Sequence, residues 1–280
     1  MAADAGLLTQ FAPAKVNLYL HLCGQRDDGY HLLDSLAVFP DIGDVLHACP
    51  AETLSLALTG PQAAGLDTEP DNLVLRAARG LDVADKGAAL TLEKNLPVAS
   101  GIGGGSSDAA ATMRLLSEMW ECEVPDALLL ELGADVPVCM SAPTPTHMQG
   151  IGEILTPVPT LPECGIVLVN PHVEVPTGAV FKGVKDRNPP PGPPLPDRFD
   201  GFTDFVQWLR LQRNDLQPSA EAACPAITQV LKTLSDAPLA RMSGSGATCF
   251  ALFQSASIAK EMALQLGKHH PGWWIEPGTI

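Results

Sequence analysis

The sequence has little positive charge, which narrows the classes of partner that it can attract. Lysine and arginine number 17 against 32 aspartates and glutamates, so the formal net charge is −15 over 280 residues. A chain this acidic has no general electrostatic attraction for a nucleic-acid backbone or an anionic membrane surface. We expect no nucleic-acid partner and no membrane partner, and any phosphate that the protein handles must be held by local geometry.

Long apolar runs are also missing. No stretch approaches the roughly 20 consecutive apolar residues that span a bilayer. Residues 1–10 have neither the basic start nor the long apolar core of a secretory signal. We therefore expect a cytoplasmic protein.

Paired cysteines are absent as well. The seven cysteines are spread singly along the chain, with no C-x-x-C pair, and the histidines show no metal-ligand spacing. This pattern fits neither a disulfide framework nor a zinc site. We expect reduced cysteines that lie mostly in the core, and no metal ion bound by protein ligands alone.

The first half of the chain contains a strand, a glycine-rich loop and a helix in succession. Leucines alternate with polar or small residues over 52–59 and again over 88–94, which predicts two half-buried strands. Between them, Asp71 or Asn72 precedes apolar residues at helical spacing and is expected to cap a helix. The second strand leads into the glycine-rich loop, and a helix is predicted from about Ser106 to Trp120.

The second half mixes strands and helices without strict alternation. Strands are predicted at 165–170 and 248–253, and helices at 217–235 and 257–266, which favours an α+β fold. The proline-rich segment 188–197 predicts a stiff surface loop, because proline fixes φ and removes a hydrogen-bond donor. A chain of this length favours two domains, and we place them at 1–150 and 151–280.

The glycine-rich loop lies within "PVASGIGGGSSDAAATMRLL", residues 97–116. Its glycines allow a ligand to approach the main chain, and the helix that follows directs its positive end at the loop. The loop is not a Walker A motif, because the Gly267–Lys268 pair is followed by His269 rather than Ser or Thr. It is not a dinucleotide fingerprint either, because Ser106 occupies the third glycine position. An anion-binding loop of another kind is predicted.

Five blocks occur in order and together resemble the GHMP small-molecule kinases. They are FAPAKVNLYLHLCGQRDDGYHLLDSL (11–36), LPVASGIGGGSSDAAA (96–111), LGADVPV (132–138), GIGEILTPV (150–158) and RMSGSGATCFALF (241–253). The resemblance covers nearly the whole chain. It implies an N-terminal ATP-binding domain like the second domain of ribosomal protein S5 and a ferredoxin-like C-terminal domain.

The resemblance also implies an ATP site around the glycine-rich loop. Asn72, Lys94 and Leu96 are expected near the adenine. The phosphates are expected along the loop, formed by Pro97, Val98, Ala99, Ser100, Gly101, Ile102, Gly103, Gly104, Gly105, Ser106 and Ser107. Ala99 stands where many family members have glycine. Magnesium is expected to accompany ATP.

Two charged residues are expected to act in the chemistry. By resemblance, Lys15 lies beside the carboxylate of Asp135, near the transferred phosphate. From the residues alone, Lys15 could instead reach water from an edge strand, and Asp135 could simply cap a turn. Phosphoryl transfer requires positioning, charge stabilisation and a group that accepts the hydroxyl proton, and an aspartate held by a lysine suits that role.

The resemblance places the acceptor substrate on a third set of residues. Tyr30 and Phe181 are expected to sandwich a cytosine base that His31 hydrogen-bonds. The other expected contacts are Asn17, Thr177 and the glycine turn of Gly244, Ser245 and Gly246. An aromatic pair at the edge of a core and an ordinary turn before a strand are the alternatives that the residues alone leave open.

The resemblance implies a kinase that transfers phosphate from ATP to the 2-hydroxyl of a cytidine diphosphate-linked methylerythritol, in the non-mevalonate route to isoprenoid precursors. A homoserine or mevalonate-type kinase of the same family is the first alternative, although such an enzyme has no use for a cytosine site. A non-catalytic S5-like binding module is the second. Its RNA-binding form should carry a basic face, and an inactive relative should have lost Lys15 or Asp135.

Overall fold

The computed structural model describes residues 6–27, 29–66 and 71–280. The strands within them are β1 (Leu8–Pro13), β2 (Val16–Gln25), β3 (His31–Val38), β4 (Gly43–Ala51), β5 (Ser55–Thr59), β6 (Gly87–Glu93), β7 (Thr146–Gly150), β8 (Ile154–Pro157), β9 (Gly165–Asn170), β10 (Leu239–Met242), β11 (Cys249–Phe253) and β12 (Trp274–Thr279). The helices are α1 (Leu73–Gly80), α2 (Gly104–Trp120), α3 (Asp126–Leu132), α4 (Val136–Met140), α5 (Thr177–Gly183), α6 (Phe202–Arg210), α7 (Gln217–Ala223), α8 (Pro225–Thr233) and α9 (Ala256–His269).

The chain divides into two compact units that interleave along the sequence. The first unit comprises Met1–Ala14, Gly43–Val98 and Gly103–Ser141, and the second comprises Lys15–Ile42, Ala99–Ile102 and Ala142–Ile280. Compact units of this kind need not coincide with family domains. The domains at 1–150 and 151–280 therefore stay a prediction.

The first unit is a four-stranded sheet covered by helices. The strand order is β1-β4-β6-β5, with β5 parallel to β6 and the other pairs antiparallel. Leucines at alternate positions of β4 and β6, such as Leu46, Leu90 and Leu92, pack against α2 residues that include Met113 and Leu116. Alternation in the strands and helical spacing in α2 thus direct both apolar faces into one core.

The second unit contains two four-stranded sheets. Strands β2, β3, β7 and β8 form an antiparallel sheet in that order, and the second sheet has the order β10-β11-β9-β12. The second sheet is antiparallel throughout and follows a β-α-β-β-α-β chain order, which is the ferredoxin-like arrangement. The predicted α+β class is confirmed. The core contains Leu20 and Leu22 of β2 with Val167 and Val169 of β9.

Most predicted elements are present, with different ends. Asn72 caps α1 through its side chain, which accepts a hydrogen bond from the Val74 N–H. Helix α2 begins at Gly104, two residues before the predicted start, and no helix or strand forms over 188–197. The single helix predicted at 217–235 is wrong. Proline at 225 disfavours helical backbone at Cys224, which is extended, so α7 ends there and Pro225 begins α8.

Candidate active site

The first unit contributes the positive end of a long helix. Gly103 precedes α2 with φ of 65°, and no side chain caps the helix. The first N–H groups of a helix have no partner within it. Ser107 is already committed, because its hydroxyl is buried and donates to the Pro13 carbonyl at 2.7 Å. The main chain at the start of α2 is therefore suited to bind an anion.

The second unit holds the central part of the glycine-rich loop against the second glycine turn. Gly101 has φ of 74°, and a Cβ on it would lie 2.6 Å from the Gly246 carbonyl oxygen and 2.8 Å from that of Ser243. The Ser243 hydroxyl donates to the Gly101 carbonyl at 3.1 Å, and the Thr248 N–H donates to the Ser100 carbonyl at 3.0 Å. Only glycine fits at 101 without moving the turn.

The glycine turn at 243–246 is buried and fixed by polar side chains. Asn214 donates to the carbonyls of Met242 and Gly244, both at 2.8 Å. The hydroxyls of Thr177 and Ser245 lie 2.9 Å apart, which brings two predicted substrate residues together. Sequence reasoning missed Asn214, because no local motif surrounds it.

Lys15 is buried, and its ammonium is the first donor in a chain of hydrogen bonds between polar side chains. The residue is 3% exposed, so the alternative that it extends into water is wrong. Its ammonium donates to Asn17 Oδ1 at 2.9 Å, and Asn17 Nδ2 donates to the Ser35 hydroxyl at 2.7 Å. Asn17 is further fixed through its backbone N–H, which donates to Ser243 Oγ at 3.1 Å. A buried cation in a fixed position is suited to stabilise charge on a phosphoryl group.

Asp135 lies at the start of α4 in the first unit, and it is half-buried. Its side chain makes no capping hydrogen bond to that helix, so the turn-capping alternative is not observed. A carboxylate in this position remains suited to accept a proton or to orient an alcohol. Lys15 belongs to the second unit, and its pairing with Asp135 stays a prediction.

Two of the predicted base-binding residues, His31 and Phe181, contact each other in the second unit. The rings of His31 and Phe181 stack with centroids 5.2 Å apart and planes 27° apart, and Tyr30 is 58% exposed. Within the described residues, His31 Nδ1 is buried without a hydrogen-bond partner. Burial, together with the Arg187 guanidinium, lowers the pKa of His31. A neutral imidazole offers one donor and one acceptor, which suits the polar edge of a base.

The residues expected near the adenine have structural partners in the first unit. Asn72 Oδ1 accepts the Val74 N–H at 2.9 Å while capping α1. Leu96 is fully buried, and Val98 is exposed. Lys94 is buried, with its ammonium bonded to Asp44 and Asp108. Both aspartates were missed by sequence reasoning.

Two further findings concern metal binding and membrane-spanning helices. In the part of the chain that the structure describes, no cluster of three or more histidine, cysteine, aspartate or glutamate side chains could hold a metal ion. None of the helices among the described residues has the length and apolar character needed to cross a membrane.

Comparison with known proteins identifies similar sequences along nearly the whole chain. Residues 72–149 match the family described as GHMP kinases N terminal domain, and residues 202–272 match GHMP kinases C terminal. The 4-diphosphocytidyl-2-C-methyl-D-erythritol kinase of Cereibacter sphaeroides is 54% identical over 278 residues, which cover 96% of this chain and 98% of that protein.

Solved structures show the same similarity. A crystal structure of 4-(cytidine 5'-diphospho)-2C-methyl-D-erythritol kinase matches with a TM-score of 0.77 and 30% identity, covering 97% of this chain and 98% of the other. The homoserine kinase of Cytophaga hutchinsonii matches with a TM-score of 0.66 and 18% identity, covering 100% of this chain and 96% of the other. The second match concerns the fold alone.

Proposed function

The chain belongs to the GHMP kinases, and we propose that it transfers the γ-phosphoryl group of ATP to the 2-hydroxyl of 4-diphosphocytidyl-2-C-methyl-D-erythritol. This reaction serves the synthesis of isoprenoid precursors by the non-mevalonate route. The observation that carries the kinase activity is the uncapped start of α2 after Gly103, where main-chain N–H groups are suited to bind phosphate. The near full-length identity to a kinase of this substrate supports the choice of acceptor.

In the proposed reaction, the substrate hydroxyl oxygen forms a bond to the γ-phosphorus as the bond from that phosphorus to the β-γ bridging oxygen breaks. ADP leaves with the electrons of the broken bond. Asp135 orients the hydroxyl and accepts its proton, and the buried Lys15 ammonium stabilises negative charge on the transferring group. Asn17 keeps that ammonium in place through the 2.9 Å hydrogen bond.

Magnesium is proposed to enter with ATP. Its charge would neutralise part of the charge on the phosphates. No residue of this chain is assigned to it. A cytoplasmic location likewise stays a prediction from the sequence.

The cytosine is proposed to bind at Tyr30, His31 and Phe181. A flat base can stack on an aromatic ring, and the unpartnered His31 Nδ1 supplies a polar atom for its edge. This set is what favours the cytidylyl substrate over homoserine or mevalonate, which carry no base. Both Lys15 and Asp135 are present, which argues against the non-catalytic binding module.

A coupled assay of ADP release tests the proposal. The cytidylyl substrate, homoserine and mevalonate are supplied in parallel with MgATP, and the Lys15→Met variant purified in the same way reports contaminating kinases. We expect turnover with the cytidylyl substrate alone. Turnover that favours homoserine or mevalonate would overturn the substrate, and wild-type turnover no greater than that of Lys15→Met would overturn the kinase activity.

A further inference from the structure

A buried cluster of three charged residues lies in the first unit, and it includes Lys94, which the family resemblance places near the adenine. The Lys94 ammonium donates to Asp44 Oδ2 at 2.5 Å and to Asp108 Oδ2 at 2.7 Å. All three side chains are almost completely buried. One ammonium thus faces two carboxylates in a part of the molecule from which water is excluded. The desolvation cost of these charges must be offset by their ion pairs and hydrogen bonds.

The cluster contacts the chain on both sides of the glycine-rich loop. Asp44 Oδ1 accepts the backbone N–H groups of Asn95 and Leu96, at 2.6 and 2.9 Å, where the chain enters the loop. Asp108 lies in the second turn of α2, where the chain has left the loop. The Lys94 ammonium lies 3.7 Å from the point that a Cβ of Gly104 would occupy. The positive charge therefore lies next to the first residue of α2.

We propose that Asp44, Lys94 and Asp108 form a positioning cluster, which fixes the start of α2 for ATP phosphates. The proposal rests on the proposed function, because it requires that phosphates bind at this helix end. The cluster acts through the backbone and does not touch the reacting atoms. Its carboxylates join the strand end before the loop to the helix after it, so removing one should loosen that helix end.

The electrostatics of the cluster make it sensitive to pH near neutrality. Burial raises the pKa of Asp108 to about 7, with the Asp44 carboxylate acting in the same direction and the Lys94 ammonium against it. Burial alone would lower the pKa of Lys94, but the two carboxylates outweigh it and raise that pKa. Ionisation of Asp108 makes the cluster, which lies next to the start of α2, more negative by one charge. ATP should then bind less tightly as pH rises through about 7.

Other charged groups near α2 are directed elsewhere. Strand β1 and helix α4 contain no aspartate, glutamate, lysine, arginine or histidine. On α1, Arg76 reaches the Glu131 carbonyl and Arg79 lies in the last turn. On α2 itself, Arg114 donates to the Cys139 carbonyl. On β4, His47 bonds to Thr9. Lys94 and Asp44 are therefore the charged groups that act on Asp108.

The experiment measures ATP binding by calorimetry without the acceptor alcohol, so its result does not depend on which alcohol is the substrate. The full-length protein is compared with Asp108→Ala, Asp108→Asn and the matched control Asp34→Ala, which removes a partly buried, hydrogen-bonded aspartate from the second unit. Melting temperatures are recorded for each. Failure of wild type to bind ATP would overturn the proposed function itself.

At pH 6.5 we expect Asp108→Ala to raise the Kd for ATP by roughly 10- to 100-fold, the equivalent of one or two charged hydrogen bonds. Asp108→Asn keeps an acceptor for Lys94 and should recover most of this loss. Asp34→Ala should lower the melting temperature without changing the Kd. A Kd in Asp108→Ala equal to that of wild type would overturn the positioning role. The role would also be overturned if Asp34→Ala raised the Kd as much as Asp108→Ala for a similar drop in melting temperature, because loss of stability would then explain both.

The pH profile tests the protonation of Asp108. Between pH 6 and 8 the Kd of wild type should rise roughly 3- to 10-fold relative to that of Asp108→Asn, as expected for one added charge at intermediate dielectric. Using the ratio of the two proteins removes the titration of ATP itself. A ratio that stays constant over this range would overturn this part of the proposal.

Discussion

At the scale of single residues, Lys15 and Asp135 carry the two charges on which the proposed transfer depends. We expect Asp135→Asn to lower kcat by roughly 10²- to 10⁴-fold, the usual value of general acid–base assistance, with little change in either KM. Lys15→Met should produce a comparable loss. The measurement is kcat and both KM values for each variant.

The double variant and the melting temperatures separate chemistry from folding. If the two residues act as a unit, the double variant should be little slower than either single variant. Asparagine keeps the shape of Asp135, which makes no capping hydrogen bond that the change could break. Wild-type kcat in Asp135→Asn, or a loss explained by unfolding alone, would contradict the proposed role.

Phe181 tests the base site. Stacking on one aromatic face is worth about 1–3 kcal/mol per base, so Phe181→Ala should raise the KM for the cytidylyl substrate by roughly 5- to 150-fold. Phe181 also packs against the core of the second unit. Phe181→Leu therefore serves as the control that keeps apolar volume and removes the ring. An effect on the KM for ATP instead would assign Phe181 to the other substrate.

Sequence patterns reveal some site residues and miss others for a physical reason. Lys15 and Asn17 lie two positions apart, where side chains on an extended chain share a face, and they do bond to each other. Asn214 and Asp44 act on backbone groups 28 to 52 positions away along the chain. Nothing in their local sequence marks such long-range contacts, which only the fold creates.

At the scale of elements, the periodicity of apolar residues predicted the existence and type of most helices and strands. Strand β9 is buried at all six positions, as a continuous apolar run indicates. Element ends depend on local backbone chemistry instead. The predicted start of α2 at Ser106 falls too late because glycine disfavours helix on average, whereas here Gly104 and Gly105 are part of the helix.

Gly101 and Gly267 form a matched pair that tests the glycine-rich loop. Gly101→Ala would place a Cβ 2.6 Å from the Gly246 carbonyl oxygen, at a positive φ. The glycine-rich loop and the glycine turn at 243–246 would therefore have to move apart. We expect at least a tenfold rise in the KM for ATP or loss of activity. Gly267→Ala, on α9, would place its Cβ in open space, with no atom of another part of the chain within 4 Å.

The Gly267→Ala control should keep the KM for ATP within about threefold of wild type. It should also raise stability by up to about 1 kcal/mol, because alanine favours helix over glycine. Steady-state kinetics and thermal melts of the two variants provide the measurement. Equal ATP kinetics in both would show that the close approach at Gly101 has no part in ATP binding.

At the scale of the whole molecule, the resemblance to a family gave more than the residue pattern. Composition indicated an acidic chain, the order of predicted strands and helices indicated an α+β fold, and the ferredoxin-like arrangement came from the resemblance. The interleaving of the two units was not predicted, because an alternating strand pattern does not state which sheet the strand joins. Strands β2 and β3 precede β4 in the chain, yet β2 pairs with β3, β3 pairs with β7, and both strands lie in the second unit.

The stability of the whole molecule should depend on pH through Asp34, which joins three strands of one sheet. Its carboxylate accepts hydrogen bonds from Tyr19 on β2 and Gln149 on β7, and it contacts His147 on β7. Burial would raise the pKa of Asp34, but the bonds from His147, Tyr19 and Gln149 outweigh it and lower that pKa to about 2. The folded protein thus favours the ionised form more than the unfolded chain does.

This stabilisation is fully present above the unfolded pKa of about 4 and is lost as pH falls toward 2. Asp34→Asn should therefore lower stability at pH 7 by on the order of 2 kcal/mol, a melting shift of a few degrees. The difference between variant and wild type should shrink from pH 4 downward. Melting temperatures from pH 3 to 8 measure this, with the exposed Asp197→Asn as a control that should change little at any pH. If Asp34→Asn lowers the melting temperature by the same amount at pH 3 and pH 7, the shape of the Asp34 side chain rather than its charge holds these strands together.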